Sequence, residues 1–478
     1  MSALLALAFT GACGPRACGS RPTSTSRTGP VRQLKKSELT PAEIKYGVAP
    51  VPDPSITYQP AVVVIGGGAD AIRARSSNGL TWTIDAGAPH ANEIAEGKIM
   101  YVTDLAVGRV LDVRKNDREL LVTIGPVLIT DVFKECHINP GTIPLDLNDA
   151  IPNDAPDLPG RVVGRLAADA RPATDDAGFA RVSYQQPEAA PAAPVQDVSN
   201  LVDFKLVPSV GSDGIGVKGV SDSGGMKMTL EALVHLDSPT LTPRLEIMSG
   251  KVTEATLGLT GAAGLTLKFQ AGTDVGMKAN VNGRVQGVPD FVFHLTGGTA
   301  LTIHQQVIVK TALGVRNSTL GATGDYTFGG EFKLGYSAEK GWGLYGPTGF
   351  TAKHSLLNSL QGVSIGAMGL NVIHEMKVMY GLGALGFATG PYFGFNSALG
   401  LFKGSDLGMI QCKEATFHLG MSGGIGYIIP KLVADVVNAL FGALHIKYRV
   451  DNFGGVESKP LELLTKTTTL PGCQAGKE

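Results

Sequence analysis

The sequence has few cysteines and few tryptophans, and its charges nearly cancel. Five cysteines and two tryptophans occur among 478 residues, and no C-x-x-C pair is present. Zinc ribbons and thioredoxin-type redox sites use such pairs, so we predict neither. A formal net charge of -1 gives no electrostatic basis for nucleic-acid binding, and we expect no nucleic-acid partner. No apolar run reaches the roughly 18 residues that a transmembrane helix needs.

Glycine, in contrast, is abundant. It accounts for 63 of 478 residues, well above the usual share of about 7%. The glycines show no collagen-like period and are dispersed among valine, threonine and leucine. Hydrophobic residues make up 43% of the chain and charged residues 17%. This composition predicts a folded, weakly charged protein with many turns, bulges and closely packed strands.

The N-terminus begins with a short apolar segment, SALLALAFTGACGP, that ends in small residues and Cys13. Residues 1–13 therefore predict a lipoprotein-type signal in which Cys13 is the acylated residue. No Lys or Arg precedes the apolar run, which leaves an ordinary secretory signal, or no signal, as alternatives. Cys18 is a poorer lipidation candidate because Arg16 interrupts the small and apolar residues that should precede the acylated cysteine.

The segment "VVVIGGGADAI" contains Gly66, Gly68 and Ala71 at the spacing of a dinucleotide-binding fingerprint, and Asp85 lies downstream. That fingerprint needs a crossover helix of about three turns. The chain leaves no room for such a helix. Apolar and polar residues alternate directly after Ala71, Asn78-Gly79 follows, and a second alternating run begins at Leu80. Asn-Gly between two such runs predicts a β-hairpin, and no cofactor is expected.

A second hairpin is predicted around Asn116-Asp117, and PVLITDVFKEC is expected to form a short helix. Residues 93–133, with the sequence "EIAEGKIMYV…AVGRVLDVRKNDRELLVTIGPVLITDVF", resemble a β module of uncharacterised bacterial surface lipoproteins. The resemblance covers less than a fifth of the chain and its motifs concern folding. It implies a cell-surface setting and no particular activity.

Composition divides the chain into six segments. A Pro-, Ser-, Thr- and Arg-rich tether follows the signal, with one short helix between Glu38 and Tyr46, and a Pro-, Ala- and Asp-rich connector separates a small β domain from a large one. A polar tail ends the chain. The predicted ranges are 1–13 for the signal, 14–59 for the tether, 60–138 for the small β domain, 139–200 for the connector, 201–460 for the large β domain and 461–478 for the tail.

The large domain alternates apolar and polar residues with a period of two, which is typical of strands with one buried face. Leu265 to Gln270 and Tyr326 to Tyr336 show the pattern, and Asn282-Gly283 is expected to form a turn. Glycine-rich strands between 360 and 430 are apolar on both faces, as in a sandwich or layered sheet. The segment 430–444, PKLVADVVNALFGAL, has the spacing of an amphipathic helix.

Two serines lie in motifs that resemble those of hydrolases. Ser223 in SDSGG lacks the upstream histidine segment of trypsin-like proteases, and Ser422 in GMSGG continues as a strand where a nucleophile elbow needs a helix. The histidines stand singly in strand patterns, so we predict neither a metal site nor an enzyme. Cys412 and Cys473 are candidates for a disulfide that ties the tail to the large domain, with two separate thiols as the alternative.

These observations predict a mainly β protein, with a small N-terminal β domain, a large antiparallel β-sandwich or layered sheet and one C-terminal amphipathic helix. We expect an exported, lipid-anchored protein of the cell envelope or cell surface, or a secreted one, with a binding or structural role. Its partners would be the membrane, through the N-terminal anchor, and a protein, glycan or lipid ligand. Two alternatives stay open: an outer-membrane β-barrel, and a carrier of an apolar ligand in a β-lined cavity.

Overall fold

A computed structural model describes the chain in sections separated by gaps. It covers residues 31–76, 79–153, 205–211, 214–223, 226–273, 280–285, 290–313, 319–337, 339, 341–354, 368–383, 388–406, 410–428, 438, 453–458 and 461–469. The chain is mainly β, as the sequence predicts, and its strands form antiparallel sheets consistent with a β-sandwich.

The described residues form 24 strands and two short α-helices. The helices are α1 (Pro41–Tyr46) and α2 (Ile129–Val132), and single 3-10 turns lie at Lys36–Glu38, Gly68–Ala71, Ala91–Glu93 and Leu147–Asp149. The strands up to the long gap are β1 (Ile56–Tyr58), β2 (Val62–Val64), β3 (Ile72–Arg75), β4 (Thr81–Asp85), β5 (Ile99–Tyr101), β6 (Val107–Lys115), β7 (Glu119–Gly125), β8 (Phe133–Ile138), β9 (Ile143–Pro144) and β10 (Ile151–Asn153).

The strands after the gap are longer, and two of them reach 23 residues. They are β11 (Lys205–Gly211), β12 (Gly214–Ser223), β13 (Met226–Met248), β14 (Lys251–Thr273), β15 (Asn280–Val285), β16 (Asp290–His294), β17 (Ala300–Leu313), β18 (Thr319–Ser337), β19 (Gly341–His354), β20 (Met368–Gly381), β21 (Thr389–Asp406), β22 (Ile410–Ile428), β23 (Phe453–Glu457) and β24 (Leu461–Thr469).

The N-terminal sheet has six strands in the order β2-β5-β6-β7-β4-β3. Its two predicted hairpins are confirmed: β3 pairs antiparallel with β4, and β6 with β7. Gly68 and Ala71 lie in a 3-10 turn of four residues, which is too short to serve as a crossover helix. Because side chains alternate across a strand, Trp82 and Ile84 of β4 are fully buried while Thr81 and Thr83 are not.

Two larger sheets follow, each of nine strands. The sheet built on the β13–β14 hairpin, which we call sheet A, runs β1-β8-β13-β14-β18-β19; β9 and β12 also pair with β13, and β11 pairs with β12. The second, which we call sheet B, runs β10-β16-β17-β20-β21-β22-β23, with β15 beside β17 and β24 beside β22. One buried apolar cluster contains residues of both, including Leu245 and Ile247 from sheet A and Phe291 and Phe393 from sheet B. The inner faces of the two sheets therefore share a core.

Glycines permit close backbone contact between the end of β20 and the start of β21. A Cβ atom on Gly390 would lie 2.0 Å from the carbonyl oxygen of Tyr380, and one on Gly381 would lie 2.1 Å from that of Thr389. Gly390 pairs in register with Gly426, which pairs with Gly455. This row of glycines crosses the neighbouring strands β20 to β23, where a side chain would force the backbones apart.

The predicted segment boundaries do not match the limits of the sheets. β8 pairs with β13, and β1 with β8, so both belong to sheet A. β9, from the predicted connector, also pairs with β13, while β10 pairs with β16 of sheet B. These pairs join residues 75 to 141 positions apart. Local sequence patterns do not reveal such pairing, so the prediction assigned these short strands to the wrong units.

The predicted tether is also corrected in the part that the structure describes. The short helix is confirmed as α1, with Thr40 as N-cap and Pro41 in the first turn. Around it Leu34 and Val48 are each 1% exposed, and the backbone N–H of Leu34 donates to the carbonyl of His294 at 2.8 Å. Residues 31–59 are thus packed and hydrogen-bonded onto the sheets, because their apolar side chains find a core there.

Three further expectations differ from the structure. The helix after residue 126 is only α2, and Phe133 already begins β8. Asn282-Gly283 lies inside β15, paired with Lys310 and Val309, and forms no turn. The start of the predicted tail forms β24, whose threonine-rich sequence suits a strand. In the segment 430–444 only Asn438 is described, in helical conformation; the other residues lie outside the described part.

Candidate functional site

A buried hydrogen bond between a carboxylate and a histidine joins the N-terminal sheet to sheet B. Asp104, in the turn between β5 and β6, and His294, at the end of β16, both have fully buried side chains. The Nδ1 atom of His294 lies 2.5 Å from Oδ2 of Asp104, and the backbone N–H of Val48 donates to the other carboxylate oxygen at 2.7 Å. The carboxylate is therefore held by one group from sheet B and one from the segment after α1.

Backbone hydrogen bonds hold Asp104 on two sides. The N–H of Asp104 donates to the carbonyl of Val48 at 2.8 Å, and the N–H of Gly383 donates to the carbonyl of Asp104 at 2.7 Å. Gly47 has a φ of 90°, and a Cβ atom there would collide with the carboxylate of Asp104. We call this arrangement of Val48, Asp104, His294 and Gly383 the joint. Four separate parts of the sequence meet in it.

The joint is a structural element rather than an exposed reaction centre. The Nε2 atom of His294 has no hydrogen-bond partner among the described residues. A proton on Nδ1 bonds to the carboxylate and leaves Nε2 as a bare acceptor, which costs less than an unpaired donor. Since both side chains are fully buried, the pair can orient the two regions but cannot reach a dissolved substrate in this conformation.

Phenol and thiol groups are buried where β5 of the N-terminal sheet packs against β1 and β8 of sheet A. Burial raises the pKa of Tyr101 well above its usual value, and the Tyr101 hydroxyl donates to the carbonyl of Gly298 at 2.8 Å. Burial also raises the pKa of Tyr58 and of Cys136 to about 12 each. A thiol with such a pKa stays protonated and unreactive at neutral pH. These groups therefore act as packing and hydrogen-bonding elements.

A second polar cluster lies inside sheet B, further along its strands. It consists of Gln305 in β17, His374 in β20 and Ser397 in β21, which are 1%, 5% and 6% exposed. The Nε2 atom of His374 lies 3.2 Å from Oε1 of Gln305, and Ser397 donates to the backbone carbonyl of His374 at 3.3 Å. Desolvation lowers the pKa of His374 to about 4, so its ring is neutral at physiological pH. We call these three residues the interior cluster.

The interior cluster has an unpaired donor. The Nε2 amide nitrogen of Gln305 is buried and has no hydrogen-bond partner among the described residues. The row of sheet B that contains Gln305 is otherwise apolar in the next three strands. Met376, Phe395 and Met421 follow one another there in register, and each is at most 5% exposed. A buried amide donor without a partner is costly, so such a group commonly has a water or a ligand as its acceptor.

The structure places the two candidate serines in β-strands. Ser422 lies in the middle of β22, opposite Gly394 of β21, and no helix follows it in the described residues of that strand. Ser223 ends β12, opposite Met226 at the start of β13. The interpretation of GMSGG as strand sequence is confirmed. SDSGG is predicted to be a loop before the next strand, but its residues 221–223 belong to β12.

The predicted modification sites are largely outside the described residues. This applies to Cys13, the lipidation candidate, and to Cys473, one of the two disulfide candidates. Cys412 lies in β22, where its backbone pairs with Gly404. Acylation of Cys13 and the Cys412–Cys473 disulfide stay predictions.

Sequence reasoning missed the carboxylate partners of the histidines. Four histidines in the described part lie against an acid: His90 against Glu93, His137 against Glu246, His294 against Asp104 and His304 against Asp290. Only the pair separated by three residues has a local sequence signal. The described residues contain no group of three or more metal-ligating side chains. They also contain no helix long and apolar enough to cross a membrane.

Comparison with known proteins gives two family matches. Residues 184–455 match the family described as "Domain of unknown function (DUF8402)", and residues 42–135 match "Domain of unknown function (DUF8403)". The first match covers more than half of the chain and includes the long strands of sheets A and B. The second extends from α1 to β8. No curated protein and no solved structure matches the sequence.

Proposed function

The chain belongs to the family described as "Domain of unknown function (DUF8402)", and we propose that it is an exported, lipid-anchored protein that acts at the cell surface as a binding or structural element. The N-terminal segment SALLALAFTGAC supports export and acylation at Cys13. The geometry of the sheets supports the second part of the proposal, a role in presentation.

The observation that carries the proposal is the position of the N-terminal region at one end of very long strands. The turn between β13 and β14 lies beside that region, where the N–H of Gly250 donates to the carbonyl of Lys134 at 2.8 Å. Each of the two strands has 23 residues, which corresponds to about 75 Å of extended chain. The opposite end of the hairpin, where Met226 pairs with Thr273, is therefore held far from the N-terminal region.

The joint strengthens this arrangement. Because Asp104 connects the N-terminal sheet to sheet B and β8 connects it to sheet A, the N-terminal region holds both large sheets at the same end. An anchor at Cys13 would then leave the far end of the sandwich directed away from the membrane. Such an arrangement supports display or binding, and Ser422 lies within β22 rather than at a strand-to-helix turn.

Two measurements in the native host would test the proposal. Metabolic labelling with an alkyne fatty acid should modify the wild-type chain and Cys18→Ser but not Cys13→Ser. An epitope inserted after Asp406, between β21 and β22, should bind antibody on intact cells. Equal labelling of Cys13→Ser and wild type would exclude acylation at this residue, and an epitope detected only after lysis would exclude surface display.

A further inference from the structure

The interior cluster has the properties of a ligand-binding point rather than of a self-sufficient polar network. The three side chains offer several hydrogen-bonding atoms, yet the amide nitrogen of Gln305 is left without an acceptor among the described residues. Its Oε1 atom faces Nε2 of His374 at 3.2 Å, which fixes the direction of the amide. The free N–H groups of Gln305 therefore need an acceptor that the described protein residues do not supply.

The charge of the cluster limits what the acceptor can be. Desolvation keeps His374 neutral, with a pKa of about 4, and glutamine and serine carry no charge. A buried carboxylate or phosphate would find no compensating cation among these three residues, and burying an unpaired charge is strongly unfavourable. The acceptor must therefore be an uncharged oxygen, such as the carbonyl of an ester.

The surroundings indicate that the rest of the ligand is apolar. On the side of the joint, Met376, Phe395 and Met421 are buried around the cluster. In the other direction the alternate positions next to the cluster are apolar in sequence for four residues, or about 13 Å, as far as Val309 in β17, Leu370 in β20 and Leu401 in β21. Beyond them the same parity continues with the polar residues Thr311 in β17 and Lys403 in β21.

We propose that the amide of Gln305 binds the carbonyl oxygen of an uncharged long-chain acyl ester, whose chain lies between sheets A and B. His374 is a positioning residue, since its ring holds the amide oxygen of Gln305 and turns the amide nitrogen toward the ligand. The inference rests on the binding role proposed above and names the chemical class of the ligand. A buried water on the same amide is the competing occupant.

The test uses the purified full chain and two fluorescent probes that differ only in the acceptor. One is the methyl ester of 12-(1-pyrenyl)dodecanoic acid, and the other is 1-dodecylpyrene, which lacks the carbonyl. We expect the wild-type protein to bind the ester about ten-fold more tightly, as one satisfied buried hydrogen bond implies. The free pyrenyl acid at pH 8 should bind more weakly than its ester, because its carboxylate is charged.

Two substitutions at neighbouring positions localise the effect. Gln305→Leu should still bind both probes but lose the preference for the ester. Gln306→Leu should keep that preference, because neighbouring positions of a strand lie on opposite faces of the sheet. Circular dichroism would confirm that both variants retain the strand content, and Gln305→Met would replace Gln305→Leu if the latter did not fold.

Two results would overturn the proposal. If the wild-type protein bound neither probe, the amide would be satisfied by water in a closed core. If it bound both probes equally, there would be no carbonyl recognition at Gln305. Surface display is measured by antibody binding to intact cells, so a failure here is distinguishable from a failure of the proposed role.

Discussion

The N-terminal sheet and sheet B bury different kinds of residues, although both consist of strands with alternating side chains. In the N-terminal sheet the buried positions of β4 and β7 are apolar with one exception, Thr123. Sheet B buries several polar residues on strands with the same period: His294, Thr302, Gln305, His374, Thr389 and Ser397. Burial of apolar residues explains the first region, including the runs of consecutive buried positions in β5 and β7, whereas the second also buries polar groups where the sheet meets the joint or contains the interior cluster.

The comparison distinguishes buried apolar positions, which serve packing, from buried polar positions, which mark contacts or candidate sites. A sheet that follows the binary pattern everywhere is optimised for folding, and local violations of the pattern mark contacts or sites. The joint violates it to hold two regions together, and the interior cluster violates it without satisfying its own donor. Substitutions at Asp104, His374, Gly390 and Arg32, with controls at other positions, test this contrast.

The largest effect is expected from breaking the joint. Asp104→Ala would leave the N–H of Val48 and the Nδ1 atom of His294 without their buried acceptor, at a cost of about 3–5 kcal/mol in the free energy of unfolding. Urea unfolding followed by fluorescence would measure it. In a Trp342→Phe background Trp82 is the sole tryptophan and reports on the N-terminal sheet.

Asp104→Asn is the matched control for this prediction. Its amide oxygen can still accept from Val48, and its amide nitrogen can donate to Nδ1 of His294 once the ring proton moves to Nε2. The loss should therefore be smaller than for Asp104→Ala, although Nε2 becomes an unpaired donor. Unchanged unfolding midpoints in the alanine variant would show that the joint does not hold the regions together.

The next effect concerns pH and arises from the interior cluster. The pKa of His374 is about 4 in the folded chain and near 6.5 when unfolded. The folded state thus resists protonation that the unfolded state accepts. The stability present above pH 6.5 should fall as the pH decreases toward 4, by roughly 3 kcal/mol in total.

The non-titrating variant His374→Gln should remove this part of the pH dependence. Urea midpoints measured between pH 7.5 and pH 4 for the variant and the wild type would give the difference in slope. His90→Gln, which changes an exposed histidine of the N-terminal region, serves as control and should keep the wild-type slope. If His374→Gln kept it as well, the neutral buried ring would not be the cause.

The sequence predicts some of these features and misses others for identifiable reasons. The alternation in TWTID is sufficient to predict the β3–β4 hairpin, because a hairpin is a local structure. Asp104 and His294 are 190 residues apart, so no local pattern connects them. His374 shares its parity with Met376, Val378 and Tyr380. This pattern could have identified a buried histidine, but it contains no information about its partner.

Local sequence patterns also do not predict the length of a strand or the sheet to which it belongs. Alternation predicts that Tyr326 and Tyr336 lie in strands, yet it does not show that one strand, β18, contains both. The short strands β8 and β10 are stabilised by pairing with distant strands, which fixes their place in sheets A and B. Their own sequences carry no signal for that pairing.

A smaller effect should distinguish glycines that are needed for close packing from glycines that are needed only for a turn. Gly390→Ala would place a Cβ atom 2.0 Å from the carbonyl oxygen of Tyr380. Gly97, in the N-terminal region, has a φ of 81°, and a Cβ atom added to it would meet no other atom within 4 Å. Gly97→Ala should therefore cost about 1 kcal/mol for the left-handed backbone alone.

Gly390→Ala should cost about 2 kcal/mol more than Gly97→Ala, since the strands of sheet B would have to separate as well. Differential urea unfolding of the two variants would measure this. Equal costs would mean that the backbone of sheet B relaxes easily around Gly390, and that the row of glycines is not required for its packing.

The smallest effect is expected at an exposed ion pair in the same segment that contributes Val48 to the joint. Both terminal nitrogens of Arg32 donate to the carboxylate of Glu38 at 2.8 Å, and the Arg32 hydrogen bond is the main cause that lowers the pKa of Glu38 to about 2. The side chains are 50% and 37% exposed, so solvent screening should limit the contribution to under about 1 kcal/mol. Because the folded pKa of Glu38 lies below its unfolded value of 4.5, this contribution is present above pH 4.5 and is lost as the pH falls toward 2.

Urea midpoints of Arg32→Met should show a small loss of stability at pH 7, which 0.5 M salt should reduce. A loss as large as that of Asp104→Ala would mean that the exposed pair, rather than the buried one, attaches this segment to the sheets.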